Sequence, residues 1–273
     1  MNRTSFPLLA LVFTLVCASG FAASFRFVPM SIVLDSEPRR GTLTVVNTGE
    51  EKVTVQLQMM SWAQDAHGFD IYLPTKDLVF FPQIITLGPG KEGLVRVGYE
   101  PAGPLATEKT YRLFVQELPI SKPGETAIKI TLRVGIPIFI TPKEPRTALS
   151  MGEARVDNGK LVVTIANSGT SHSMVQTIAF VGIDAGGHEV FSHESKGWYV
   201  LSGSSKVFPL DVSAEECQNA TSLKVTGTTG DATVEETFGI QAGWSAQLAE
   251  SSKKAEDERE RLKLPAEAPP EKR

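Results

Sequence analysis

Apolar and polar residues alternate with a period of two in segment after segment of this chain, which restricts those segments to half-buried strands. Thr42–Val46, Lys52–Leu57, Leu94–Val97, Tyr111–Val115, Lys160–Ile165, Thr177–Val181, Val207–Leu210 and Ser222–Val225 all carry the pattern. Turn signals separate them, among them Asn47-Thr48-Gly49 and Gly88-Pro89-Gly90. No long amphipathic helix pattern appears before residue 245. Many short strands with turns between them predict β-sandwiches rather than βαβ units.

The two ends read differently from the middle. Arg3, the mostly apolar run Phe6–Cys17 and the small residues Gly20 and Ala22 form an export signal over residues 1–22, with cleavage before Ala23. Val16 is too bulky for a lipid-attachment site at Cys17. From Glu250 to Arg273 there are seven Lys/Arg and seven Asp/Glu, which reads as a solvated charged helix and a loose tail. Between these ends the composition breaks at Thr141-Pro142-Lys143-Glu144-Pro145, a stiff linker. The expected fold class is therefore all-β, with two immunoglobulin-like β-sandwich domains, a signal peptide and a charged C-terminal tail. The boundaries are 1–22 for the signal, 23–141 for the first domain, 142–145 for the linker, 146–243 for the second domain and 244–273 for the tail.

Little in the chain points to chemistry. His67, His172, His188 and His193 lack paired metal-ligand spacing and read as surface histidines. Gly88, Gly90 and Gly93 match a dinucleotide fingerprint literally, but a strand follows them where that motif needs a helix. Glu215/Glu216 and Glu235/Glu236 are adjacent pairs that would point opposite ways if extended. The expectation is a non-enzyme with no cofactor and no metal. Removing the signal takes one Arg and moves the net charge from −4 to −5, so there is no bulk attraction to nucleic acid. It also leaves Cys217 as the sole cysteine, read as a half-buried structural thiol. No later segment is apolar for long enough to enter a membrane after signal cleavage.

One strand stands apart. Across Ala127–Ile140, apolar side chains occupy Ile128, Ile130, Leu132, Val134, Ile136, Ile138 and Ile140. Fourteen residues at about 3.3 Å each span roughly 45 Å, against five or six residues in a typical strand. Periodicity leaves two readings open. The ladder packs within its own domain, or it lies at an edge and offers backbone and side chains to another chain.

The order of motifs adds a resemblance. Gly41-Thr-Leu-Thr-Val-Val-Asn47, Trp62, Phe81-Pro82, Leu87-Gly-Pro-Gly90 and Val95-Arg96-Val97 follow one another in the first domain. Tyr111-Arg-Leu-Phe-Val-Gln-Glu-Leu-Pro119 and Ile136-Pro-Ile-Phe-Ile140 complete it, and Asn167-Ser-Gly-Thr-Ser-His172 and Trp198-Tyr-Val-Leu-Ser-Gly203 lie in the second. This set resembles the periplasmic, PapD-like chaperones of chaperone–usher pili, the archaic branch most. The resemblance implies a periplasmic chaperone that binds pilin subunits and passes them to an outer-membrane usher. It implies that Ile128, Ile130, Leu132 and Val134 are the donated strand that fills the subunit's open groove. The alternative is an exported structural or adhesive two-domain surface protein.

Two departures from the family pattern matter. Many members hold the subunit's terminal carboxylate with an Arg and a Lys, and alignment puts Ser31 and Pro137 at those places. Arg96, Arg112 and Arg133 are the remaining candidates for a carboxylate anchor. Many members also join the domains through a Glu–Arg–Asp network. Glu108 fits its first place, but Thr141 stands where the Arg is expected.

Overall fold

The computed structural model describes residues 25–35, 39–119 and 131–262. The proposed signal, the ladder residues Ile128 and Ile130, and the end of the tail lie outside the described residues.

The first domain contains β1 (Phe25–Val28), β2 (Ile32–Leu34), β3 (Arg40–Asn47), β4 (Val53–Gln64), β5 (Asp70–Pro74), β6 (Leu78–Phe81), β7 (Ile84–Leu87), β8 (Glu92–Tyr99), β9 (Lys109–Leu118) and β10 (Arg133–Ile140). One sheet runs β1-β3-β8-β6, and the other runs β2-β10-β9-β4-β5 with β7 also on β4. The inward positions of both sheets meet in one core that includes Leu43, Val45, Val55, Leu57, Val95, Tyr111, Leu113, Ile136 and Ile138. This is the aligned sandwich that the alternation predicts.

The second domain contains β11 (Leu149–Asp157), β12 (Lys160–Asn167), β13 (Ser173–Met174), β14 (Thr177–Ile183), β15 (Glu189–Lys196), β16 (Tyr199–Val200), β17 (Ser205–Leu210), α1 (Ala214–Asn219), β18 (Ser222–Thr228), β19 (Thr233–Gly239) and α2 (Trp244–Leu262). Its main sheets are β11-β12-β17 and β15-β14-β18-β19. All eight strands expected from alternation are present.

The two domains repeat one device. Asn47 and Asn167 are buried at the ends of β3 and β12. Asn47 donates to the carbonyls of Glu51 (2.7 Å) and Leu87 (3.1 Å), and its Oδ1 accepts from Gly49 N–H at 2.9 Å. Asn167 donates to Ser171 (2.8 Å) and Val200 (3.0 Å) and accepts from Gly169 at 2.9 Å. Each amide satisfies the backbone of an Asn-x-Gly turn that would otherwise be buried without partners.

Helix α2 departs from the expectation for residues 244–273. Trp244 and Leu248, one turn apart, are 3% and 1% exposed in the second core, so the helix base is packed rather than solvated. The helix passes so close to the β11–β12 turn that a Cβ on Gly159 would lie 2.4 Å from Ser251 Cβ. Gly159, at φ +74°, both makes that turn and admits the helix. Helix α1 was also not expected. Its Ser213–Glu216 capping box is a readable signal, and Glu216 sits in the first helical turn instead of on a strand. Cys217 on α1 is fully buried rather than half-buried, and burial pushes its thiol pKa up.

Trp244→Ala should destabilise the second domain by about 3–5 kcal/mol, the usual range for emptying a core aromatic site. Cys217 should resist thiol reagents in the native chain and become reactive in that variant, measured as labelling rate alongside chemical denaturation.

Candidate functional site

Strand β10 has a neighbour on both sides for only part of its length. It pairs antiparallel with β9 from Arg133↔Gln116 to Ile140↔Lys109. On its other side β2 covers only Ile138–Ile140, in parallel. Among the described residues, Arg133–Pro137 therefore form an open edge. Glu117 donates its backbone N–H to the Leu132 carbonyl at 2.9 Å. By the two-residue alternation of an antiparallel ladder, the backbone groups of Arg133, Gly135 and Pro137 face that edge. Pro137 falls at an edge-facing position, where its missing N–H costs β9 no bond.

The apolar row of β10 runs out of the core along this edge. Ile136, Ile138 and Ile140 are each 0% exposed, whereas Val134 and Leu132 are half-buried at the core margin. The five described ladder residues thus pack inside at one end and emerge toward the surface at the other.

The three arginines separate. Arg96 is exposed on β8, in register with Thr42 and Phe81 on the opposite sheet, away from β10. Arg133 and Arg112 share the outer face of the β10–β9 pair, four residues apart in register and about 13 Å along the strand. Arg133 is exposed, with its guanidinium 4.0 Å from the Phe114 ring centroid. Arg112 is opposite Pro137 and only 6% exposed.

Arg112 sits in an aromatic box made by both domains. Its Cζ is 3.8 Å from the Trp62 ring centroid, 5.4 Å from that of Tyr199 and 5.6 Å from that of Trp198. Nη1 donates to the Gly135 carbonyl at 3.0 Å. Nε and Nη2 are shielded from solvent and have no hydrogen-bond partner among the described residues. Two charged donors left in that state are costly, and an acceptor with two oxygens would satisfy both. Burial, then the charge of Asp70, pushes the neighbouring Tyr72 phenol up in pKa, and Arg112 pulls it partly back.

The domains are joined by polar bonds around this box. Glu108, in the place expected for an ionic network, is fully buried at its side chain. Thr141 supplies no cation to it. Glu108 instead accepts from His172, at 2.7 Å from Nδ1 and 2.8 Å from the backbone N–H. The His172 ring stacks on Phe139 at 3.6 Å, so this histidine lies between the domains rather than on the surface. Gln64 donates to the Tyr199 carbonyl (2.8 Å) and accepts from Leu201 N–H (3.0 Å). Trp198 Nε1 donates to Asp70 Oδ2 at 3.0 Å, and Lys206 Nζ donates to the Gly68 carbonyl at 2.7 Å. Gly68, at φ +79°, is required at that last contact, because a Cβ would lie 2.6 Å from Lys206 Cα.

Residues 24–146 match the family described as pili and flagellar-assembly chaperone, PapD N-terminal domain. That match spans the first domain and the linker, 123 of the 273 residues. Solved structures match across both domains. The fold is similar to a chain of the CsuC–CsuE chaperone–tip adhesion subunit pre-assembly complex from archaic chaperone–usher Csu pili of Acinetobacter baumannii. That likeness has TM-score 0.57 and 20% identity over 79% of this chain and 97% of that one. The YadV chaperone is similar at TM-score 0.55 and 12% identity, covering 80% and 100%. No curated protein matches. At these identities the structural likeness is one of fold. Among the described residues no group of three His, Cys, Asp or Glu side chains is placed to hold a metal. No described helix is long and apolar enough to cross a membrane.

His172→Ala should leave Glu108 Oε2 with the backbone N–H of residue 172 as its one donor and cost roughly 1–3 kcal/mol, the range for losing a buried hydrogen bond. Calorimetry should show the two domains unfolding at more widely separated temperatures than in the parent chain.

Proposed function

We propose that this protein is a chaperone that captures pilin-type subunits in the periplasm by adding the edge of β10 to the subunit's incomplete sandwich, without any enzymatic step. The open edge at Arg133–Pro137, with an apolar row emerging beside it, is the observation that carries the reading. Main-chain bonds along the edge would supply affinity, and Leu132 and Val134, continued by Ile128 and Ile130, would fill the subunit's groove. Occupying that edge and groove keeps subunits from pairing prematurely, after which they pass to an outer-membrane usher. The alternative of a structural or adhesive surface module is not favoured, because a PapD-type domain with an unpaired donor edge has the parts a chaperone needs.

Arg112 is the carboxylate anchor in this reading. It lies across from Pro137, so its position replaces the cation missing there by one on the neighbouring strand. A subunit strand ending at Arg112 and reaching back past Arg133 must run in the same sense as β10, which fixes the pairing as parallel. Arg133 would then flank the strand rather than hold its end, and Arg96 would take no part.

Ile130→Asp with Leu132→Asp should abolish recovery of soluble subunit on co-expression, and unchanged recovery would sink strand donation. A subunit-derived strand peptide with a free carboxylate should bind roughly 10–100-fold tighter than its C-terminal amide, as a charge-assisted pair worth about 1.5–3 kcal/mol requires. Arg112→Gln should erase that difference, while Arg96→Gln should leave it intact.

A further inference from the structure

The anchor is covered in the free chain. Arg112 Nη1 is taken by Gly135, while Nε and Nη2 are shielded from solvent in a box where the guanidinium lies against the rings of Trp62, Trp198 and Tyr199, with Tyr72 alongside and held by Asp70 and the edge of Phe114. No carboxylate reaches the two unpartnered donors until one of those rings moves. The three rings are held very differently. Trp62 is 3% exposed in a cluster with Phe139 and Leu201. Tyr199 packs edge-on against Trp62 at 5.3 Å, and its backbone is pinned by Gln64 through the bonds at Tyr199 and Leu201. Trp198 is 38% exposed, and its indole is tied by one hydrogen bond, to Asp70. Trp198 is the ring that can leave.

We propose that Trp198 is a gate over the Arg112 site, latched by Asp70 and displaced when a subunit carboxylate enters. This rests on the reading of Arg112 as the anchor. Losing the indole does not strand Asp70, because Oδ2 also accepts from the Tyr72 hydroxyl at 3.2 Å and Oδ1 from Gln64 at 3.2 Å. The indole itself swings toward water it already touches. In exchange, a carboxylate satisfies two buried donors on Arg112. The gate also gives the second domain a part in capture: it lends no strand, yet Trp198 decides whether the first domain's anchor is open. Small anions gain too little to open it. A carboxylate at the end of a strand already paired along β10 is delivered to the gate repeatedly, so the site selects chain ends over free acids.

Arginine labelling with phenylglyoxal, resolved by residue with mass spectrometry on the full chain, tests the gate independently of subunit binding. Exposed Arg96 serves as the standard, and an unreactive Cys217 shows that the second domain remains folded. Trp198→Ala should raise Arg112 labelling about tenfold, as when a form populated at about 10% becomes dominant. Asp70→Ala, which keeps the ring and removes the latch, should raise it by a smaller factor. Unchanged Arg112 labelling in Trp198→Ala overturns the proposal. In parallel, Trp198→Ala should speed association of a free-acid peptide of alternating Val and Thr, but not of its C-terminal amide. If the native chain binds acid and amide equally, the anchor reading fails, and the labelling still decides whether Trp198 covers Arg112.

Discussion

Strand β10 must be satisfied on two sides, and among the described residues one of them is covered only at Ile138–Ile140. The remaining edge presents backbone groups at Arg133 and Gly135 beside an apolar row, the arrangement that invites another strand. Several local features follow from it. Pro137 is tolerated because its nitrogen faces outward. The Gly135 carbonyl is capped by Arg112 rather than by a strand. Leu132 and Val134 sit where the first core ends, half inside it.

The aromatic box around Arg112 depends on both domains. Glu108 with His172, Gln64 with the Tyr199–Leu201 backbone, Asp70 with Trp198 and Gly68 with Lys206 form a continuous line of bonds between them. Two ring pairs, Trp62 with Tyr199 and Phe139 with His172, fill the space behind. An interface built in this way fixes the angle between domains by geometry more than by buried area. The proposed anchor site would need this, with its cation on β9 and its roof from the second domain.

The sandwiches were legible in the sequence because alternation survives wherever one face is buried, as in β3, β4, β9, β12 and β18. Edge strand β19 carries no such mark. In β19, Thr233–Gly239, most side chains are exposed, and the strand is held by its pairing with β18. Helix α1 announced itself through Ser213 and Glu216, a signal obscured by treating Glu215 and Glu216 as a carboxylate pair on extended chain. Trp244 and Leu248 are too few apolar residues to outweigh the charges that follow them, so the packed base of α2 was hidden in its tail. Naming Arg112 as a candidate anchor was within reach of the sequence. Preferring it to Arg96 and Arg133 was not, because its box is assembled from Trp62, Trp198 and Tyr199, which only the domain packing brings together.

Strand donation is tested most directly by amide hydrogen exchange on the full chain, free and with a pilin subunit bound. The amides of Arg133 and Gly135, which face the open edge, should become protected, while Ile138–Ile140, already paired with β2, change little. Protection confined to the β1-β3-β8-β6 sheet, with Arg133 and Gly135 exchanging as in the free chain, would contradict it.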